Sequence, residues 1–252
     1  MKEKRCFLKG RLLGNPFFDF GKGGVDMDLE KWLADWTACV DGIFGERICF
    51  LGIQGSYGRG EATAESDIDV VLLLDGLQLE DLQAYDEAVS ALPMREKFCG
   101  FVGGWEELMH WDKADLFQFI QDTTPLRGSL DDLWNEITKA DIQRAVHKGA
   151  CDLYHGCVHN FLHEKDGEML KAFYKSAVFV VQAVVYLQKG VYGKKRTDLE
   201  QMAEGMEKEI LSMAKELKGQ NETSRELFEQ GSRLLLCWTG RLIKEEKIKT
   251  TR

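Results

Sequence analysis

Long hydrophobic runs are missing from this 252-residue sequence. The longest unbroken apolar runs, among them Val70–Leu74 and Ala177–Val181, are far shorter than the ~20 residues that cross a bilayer. The basic residues at the start are not followed by the apolar segment of a secretory signal. We therefore expect a soluble protein that is neither exported nor bound to a membrane.

Paired cysteines are missing as well. The chain has seven cysteines, an odd number, and none forms a Cys-x-x-Cys pair. Several lie in apolar stretches, where a free thiol behaves as a small hydrophobic group. This pattern argues against a disulfide framework and against a zinc site, and it predicts a reducing, cytoplasmic environment.

Prolines number only three, and neither repeats nor low-complexity segments occur. With 44% hydrophobic and 30% charged residues, the chain is more hydrophobic than a disordered segment. The composition predicts a packed core in one large domain or in two of roughly 100–150 residues each.

An excess of basic residues is absent. The net charge is −9, which argues against a general nucleic-acid coat. Residues 1–140 carry 14 basic and 26 acidic residues, whereas residues 141–252 carry 19 and 16. Such an asymmetry suits a site in which the acidic part binds cations and the basic part binds phosphates. It is equally compatible with two solvated surfaces that differ in composition.

The hydrophobic pattern up to about residue 130 predicts an α+β domain. The predicted elements are helices over Asp28–Phe44 and Leu77–Leu92 and strands over Ile48–Ile53, Ile68–Leu74, Phe98–Val102 and Leu116–Ile120. We expect a small mixed or mostly antiparallel sheet backed by helices, in a domain covering residues 1–132. The first 27 residues contain five glycines and predict no particular element.

Beyond Leu133 the strand signals disappear and helical periodicity takes over. The predicted helices are Asp141–His163, Glu168–Gln188, Thr197–Leu217 and Ser224–Lys244. Four consecutive helices predict an antiparallel bundle over residues 133–252. The second helix is apolar on nearly all sides, so we expect it at the centre of the bundle.

One segment combines features that suit phosphate and metal chemistry. Gly55 and Ser56 follow the first strand, and Asp67 and Asp69 flank Ile68 at the start of the second. Residues two apart in a strand point to the same side, so the two carboxylates project together. Such a pair suits Mg²⁺, which binds through one or two carboxylates plus substrate phosphates. Gly55 would let the backbone approach a phosphate, and Ser56 would offer a hydroxyl and an amide.

Other phosphate and metal motifs do not fit this segment. No Gly-Lys-Ser/Thr follows, the glycine spacing is not G-x-G-x-x-G, and the two aspartates lack the further ligands of a calcium loop. A Gly-Ser turn or an Asp-x-Asp pair alone is a weak signal. Joined as strand, Gly-Ser turn, Asp-x-Asp and strand, they form a specific pattern.

This arrangement resembles the signature of the polymerase-β-type nucleotidyltransferase superfamily, in which a Gly-Ser is followed about ten residues later by Asp-x-Asp. The order of elements is most similar to the small antibiotic nucleotidyltransferases of the kanamycin type, in which a helical bundle follows the α+β domain. The resemblance implies transfer of a nucleoside monophosphate from Mg-NTP, with ATP as the expected nucleotide, to a hydroxyl of a small molecule. It also implies release of pyrophosphate and an acceptor held between the domains.

The same resemblance suggests an aminoglycoside-like antibiotic as acceptor, because the acidic first half would attract a cation. Asp67 and Asp69 would be the metal ligands and catalytic residues, and Gly55 and Ser56 would bind the nucleotide. Neither a nucleic acid nor a membrane is expected as a partner, and a homodimer is compatible with the resemblance.

One feature departs from the superfamily. A third carboxylate is usual on a later central strand, but the segment from Lys97 to Val102 contains no acid. The substitutes nearby are Glu96, Glu106, Glu107 and Asp122. The alternative hypothesis is therefore a catalytically impaired binding or antitoxin-like regulatory module that retains the fold.

Several further residues have two interpretations. His155, His159 and His163 are spaced four apart on one helical face, which indicates a polar stripe or, for the central His159, a general base that accepts the proton of the acceptor hydroxyl. A metal-binding face is the third interpretation, but the glutamate of H-E-x-x-H is absent and three residues at this spacing splay too far for one tetrahedral ion. Kanamycin-type enzymes take their base from the helical domain. Lys175 and Lys171 would meet nucleotide phosphates or solvent. Arg59 would reach a phosphate or tie down the turn.

Overall fold

The computed structural model describes residues 28–245, so Cys6, the start of the chain and its glycine-rich segment lie outside the described residues. The described chain divides into two compact units. Unit 1 comprises residues 28–112 and 122–136, and unit 2 comprises residues 113–121 and those from 137 on.

Unit 1 contains the strands and the shorter helices. Its elements are α1 (Leu29–Phe44), β1 (Ile48–Ile53), α2 (Gly55–Arg59), β2 (Ile68–Leu74), α3 (Leu79–Val89), β3 (Phe98–Gly104), α4 (Trp105–Met109), β4 (Thr124–Arg127) and α6 (Asp131–Trp134). Short 3₁₀ turns occupy Gly45–Arg47 and Arg95–Lys97. The elements predicted over Asp28–Phe44, Ile48–Ile53, Ile68–Leu74, Leu77–Leu92 and Phe98–Val102 are therefore confirmed.

The four strands form one mixed sheet in the order β3-β2-β1-β4. β2 runs parallel to β3, whereas β1 is antiparallel to both β2 and β4. β2 is buried almost throughout, which explains its continuous run of Val and Leu. α1 covers the sheet with its buried apolar stripe, and the Asp28 side chain caps it by accepting from Lys31 N at 3.0 Å.

The predicted strand over Leu116–Ile120 is wrong. The segment is a helix, α5 (Lys113–Asp122), and the fourth strand is β4, which follows it. Leu116 and Phe117 are fully buried, and the Phe117 ring lies 5.3 Å from that of Tyr186 in unit 2. A short apolar run is compatible with either a strand or a buried helix turn, and packing decided for the helix.

The secondary-structure elements described in unit 2 are all helices. It contains α5, α7 (Lys139–His159), a π-helical turn (Asn160–Glu164), α8 (Gly167–Lys189), α9 (Arg196–Met202), α10 (Gly205–Lys218) and α11 (Arg225–Lys244). The single helix predicted over Thr197–Leu217 is thus two helices. Ala203 is extended at the break, and Gly205 begins α10 with φ +54°.

α8 is the central helix of unit 2, as its apolar sequence predicts. Eleven of its residues are buried, among them Val181 and Val185 with no exposed surface. Among the helices of residues 28–245, α8 is the one that is long and apolar enough to cross a membrane, but 61% of its apolar window is buried inside the protein. That burial is typical of the core helix of a bundle.

Candidate functional site

The Gly-Ser turn lies at the point where β1 ends and α2 begins. Gln54 precedes the helix in an extended conformation, and its backbone N–H donates to Asp69 O at 2.7 Å. This hydrogen bond joins the end of β1 to the start of β2. The helix then ends after one turn at Gly60, which has φ +70°. The turn is therefore held directly beside the aspartate pair.

Gly55 and Asp69 are in close apposition. Gly55 has φ +64°, a conformation that favours glycine. A Cβ added at this position would collide with Oδ2 of Asp69. The carboxylate therefore occupies the space that the side chain of any other residue at position 55 would fill. The candidate phosphate-binding residue Gly55 and the candidate metal ligand Asp69 are thus in direct contact.

Asp67 and Asp69 lie where the strand periodicity predicts. Asp67 is exposed just before β2, Asp69 is half-buried as the second residue of the strand, and Ile68 between them is fully buried in the core. Among residues 28–245 no group of three His, Cys, Asp or Glu side chains is arranged to hold a metal ion. The available donor set is thus a pair of carboxylates, which fits a magnesium ion whose other ligands are phosphate oxygens and water.

The strand next to this pair carries a cysteine beside Asp69. In the parallel pairing of β2 with β3, Cys99 is the partner of Asp69. Among the substitutes for a third carboxylate, Glu96 lies in the 3₁₀ turn before β3, and Glu106 and Glu107 lie in α4. Asp122 ends α5 and is buried.

Arg59 is engaged by two carboxylates of its own unit. Its guanidinium lies 3.2 Å from Glu61 and 3.3 Å from Asp122, and all three side chains are mostly buried. This geometry is the one expected if Arg59 ties down the turn, the second of its two possible roles. A contact with phosphate stays a prediction.

Residues just before and within β4 form hydrogen bonds with the Gly-Ser turn. The sequence analysis did not find these residues. The Gln54 side-chain amide donates to Thr123 Oγ1 at 2.6 Å, and the Thr124 hydroxyl donates to the Gly58 carbonyl at 3.0 Å. No local signal could have revealed them, because more than sixty residues separate the partners. Within α2, burial raises the pKa of the Tyr57 hydroxyl, so this group stays neutral.

The remaining predicted site residues belong to unit 2. His155, His159 and His163 are exposed, and the rings of His159 and His163 are 4.9 Å apart. Lys175 is exposed on α8. Lys171 donates to Glu168 at 2.6 Å and to the Gln220 carbonyl at 2.9 Å, which accounts for its charge within the bundle.

A comparison with known families matches the part of the chain that carries the candidate site. Residues 48–150, which include the Gly-Ser turn and the aspartate pair, match the model of the family described as "Nucleotidyltransferase domain". The match confirms the resemblance that the motif indicated, over this part of the chain. A search of curated proteins found no significant match.

A solved structure extends the likeness over most of the chain. The protein is similar to spectinomycin adenyltransferase AAD(9) from Enterococcus faecialis, whose structure was determined with ATP and spectinomycin. The TM-score is 0.56 and the identity 12%, and the match covers 85% of this chain and 99% of that chain. The predicted α+β fold class is thereby confirmed.

Proposed function

We propose that the protein transfers a nucleoside monophosphate from Mg-NTP, with ATP as the nucleotide, to a hydroxyl group of a small molecule. The observation that carries this proposal is the apposition of Gly55 and the Asp69 carboxylate. This contact places Gly55, which would approach the triphosphate, next to Asp69, which would bind the metal ion. The family match and the fold shared with an adenyltransferase support the proposal.

Asp67 and Asp69 would hold the magnesium ion. When bound, Mg²⁺ neutralises phosphate charge and polarises the phosphoryl group that is transferred. The two carboxylates fix its position, and burial of Ile68 between them restrains the start of β2. Catalysis in phosphoryl-type transfer depends chiefly on such positioning and on neutralisation of charge.

Gly55 and Ser56 would bind the triphosphate through backbone N–H groups and the Ser56 hydroxyl. α2 has only five residues, so its dipole adds little, and the hydrogen bonds themselves must provide the attraction. Arg59 would hold the turn in position through its ion pairs with Glu61 and Asp122.

We propose a cationic acceptor, such as an aminoglycoside-like antibiotic. The acidic excess of residues 1–140 would attract such a molecule and raise its rate of association. The structural relative was crystallised with spectinomycin, which is consistent with a small-molecule acceptor.

The test is to measure binding and turnover in the same protein. Calorimetry should show that ATP binds only with Mg²⁺ or Mn²⁺, and that Asp67→Asn and Asp69→Asn each abolish this binding in a folded protein. Glu65→Gln serves as the matched control, because Glu65 is an exposed acid of the same loop. Tight Mg-ATP binding in both aspartate variants would refute the assignment.

Turnover separates the enzyme from the alternative module. Pyrophosphate release should appear when Mg-ATP is screened with aminoglycosides and other hydroxylated amines. Metal-dependent ATP binding without pyrophosphate release from any acceptor would favour the catalytically impaired module, for which the absence of an acidic residue from β3 is the supporting observation.

A further inference from the structure

Two exposed histidines stand side by side at the end of α7. His159 is the last residue of the helix, and His163 lies in the π-helical turn that follows. Their ring centroids are 4.9 Å apart with an interplanar angle of 52°. Among the described residues, His155 makes no corresponding ring contact, although it lies one turn earlier on the same helix.

This separation fits two imidazoles on one metal ion. An imidazole nitrogen binds Zn²⁺ at about 2.0–2.1 Å, so two rings that meet an ion at roughly 90–110° have centroids about 4.5–5.2 Å apart. The observed 4.9 Å falls within that range. Histidines four residues apart on a helix are also the spacing that zinc enzymes use for two of their ligands.

The backbone between the two histidines is anchored on both sides. Asn160 is buried, donates to the Asp166 carbonyl at 2.9 Å and accepts from the Asp166 amide at 2.9 Å. The Phe161 ring stacks on Phe228 of α11 at 5.9 Å and 11°. The turn that carries His163 is therefore fixed to the bundle, which reduces the conformational entropy lost when both rings bind one ion.

The donor chemistry differs from that of the aspartate pair. Imidazole suits Zn²⁺ and Ni²⁺, whereas Mg²⁺ prefers oxygen ligands. Because no cluster of three ligating side chains occurs in the described chain, water would complete the coordination.

From this geometry we infer that His159 and His163 form a chelating site for a borderline divalent transition-metal ion of the Zn²⁺ or Ni²⁺ type. The site lies wholly within unit 2. Its evidence is separate from that of the aspartate pair, although His159 is also the residue predicted as the general base.

The test uses the full chain with Cys6 and with Cys99 and Cys237, the exposed free thiols of the described residues, changed to serine so that thiols do not compete. Calorimetry with Ni²⁺ and Zn²⁺ should show one equivalent bound. Mutation of a residue that only hydrogen-bonds to a metal ligand lowers metal affinity by about 10–100-fold. Loss of a ligand itself should cost no less, so His159→Gln and His163→Gln should each weaken binding by at least about tenfold. His155→Gln and His110→Gln should leave the affinity within about threefold.

A second measurement needs no change at the histidines. In the side-chain NMR spectrum, Zn²⁺ should perturb the imidazole signals of two of the five histidines, and Mg²⁺ should perturb none. Binding that persists unchanged in His163→Gln, an equal loss in His155→Gln, or signals that stay unperturbed would each overturn the inference.

Discussion

Gly55 combines a positive backbone φ with a neighbouring carboxylate in the space a side chain would need. Gly55→Ala should therefore lower the free energy of unfolding by at least about 1–2 kcal/mol, the cost of a left-handed conformation for an L-residue. It should also weaken Mg-ATP binding more than tenfold, because Asp69 must move. Denaturant unfolding and calorimetry measure the two effects.

Gly42 provides the control for this substitution. It lies inside α1, and a Cβ there would meet nothing within 4 Å. Gly42→Ala should leave ATP affinity unchanged and stabilise the protein by up to about 1 kcal/mol, since alanine is the better helix former. Equal ATP affinity in Gly55→Ala and Gly42→Ala would contradict the role given to Gly55.

His159 is proposed as the general base that deprotonates the acceptor hydroxyl. If it has this role, His159→Ala should lower kcat by about 10²–10⁴, with ATP affinity little changed. Steady-state kinetics in a buffer with Mg²⁺ as the only metal measure the change, and His147→Ala, an exposed histidine of the same helix, is the control. A kcat within a few-fold of the parent would leave Glu96 or Asp122 as the next candidates.

Much of the candidate site could be predicted because it is local in sequence. Gly55, Ser56, Asp67 and Asp69 lie within fifteen residues, and strand periodicity alone places Ile68 in the core. The supporting residues could not be predicted. The pairing of Asp69 with Cys99 depends on the register of two parallel strands, and local spacing does not determine it.

Among the elements, α5 is the one whose type was predicted wrongly. Its sequence, KADLFQFIQD, contains a short apolar run without β-branched residues until Ile120. Strand and helix are nearly equal in local preference over so few residues, so tertiary contacts decide. In the structure, Gln118 donates to the Tyr192 hydroxyl at 2.7 Å, and Phe117 packs on Tyr186 and Tyr192. These partners follow some seventy residues later and carry no signal at α5 itself.

This packing predicts a large effect of truncating Phe117. Phe117→Ala should lower the free energy of unfolding by about 3–5 kcal/mol, the usual cost of removing a fully buried phenylalanine. Leu162→Ala is the control, because Leu162 is 61% exposed, and it should change stability by no more than about 0.5 kcal/mol. Denaturant titration followed by circular dichroism compares the two. A loss below about 1 kcal/mol for Phe117→Ala would show that α5 is not part of the core of unit 2.

At the scale of the whole molecule, the predicted order of an α+β part and a helical part is confirmed. The alternation of strands and helices followed by four periodic segments was sufficient for that prediction. The same pattern did not predict that residues 113–121 belong to unit 2. A hydrophobic pattern along the chain cannot assign an element whose packing partners are distant in sequence.

The chain passes between its two units three times, near residues 112, 121 and 136. A recombination event with a single crossover after residue 136 would therefore replace most of unit 2 with a foreign sequence but retain the native α5. Leu116 and Phe117, which are fully buried in the native protein, would then have to fit a foreign bundle. Recombination could exchange the helical part cleanly only if α5 were replaced with it, so the two units are expected to be inherited together.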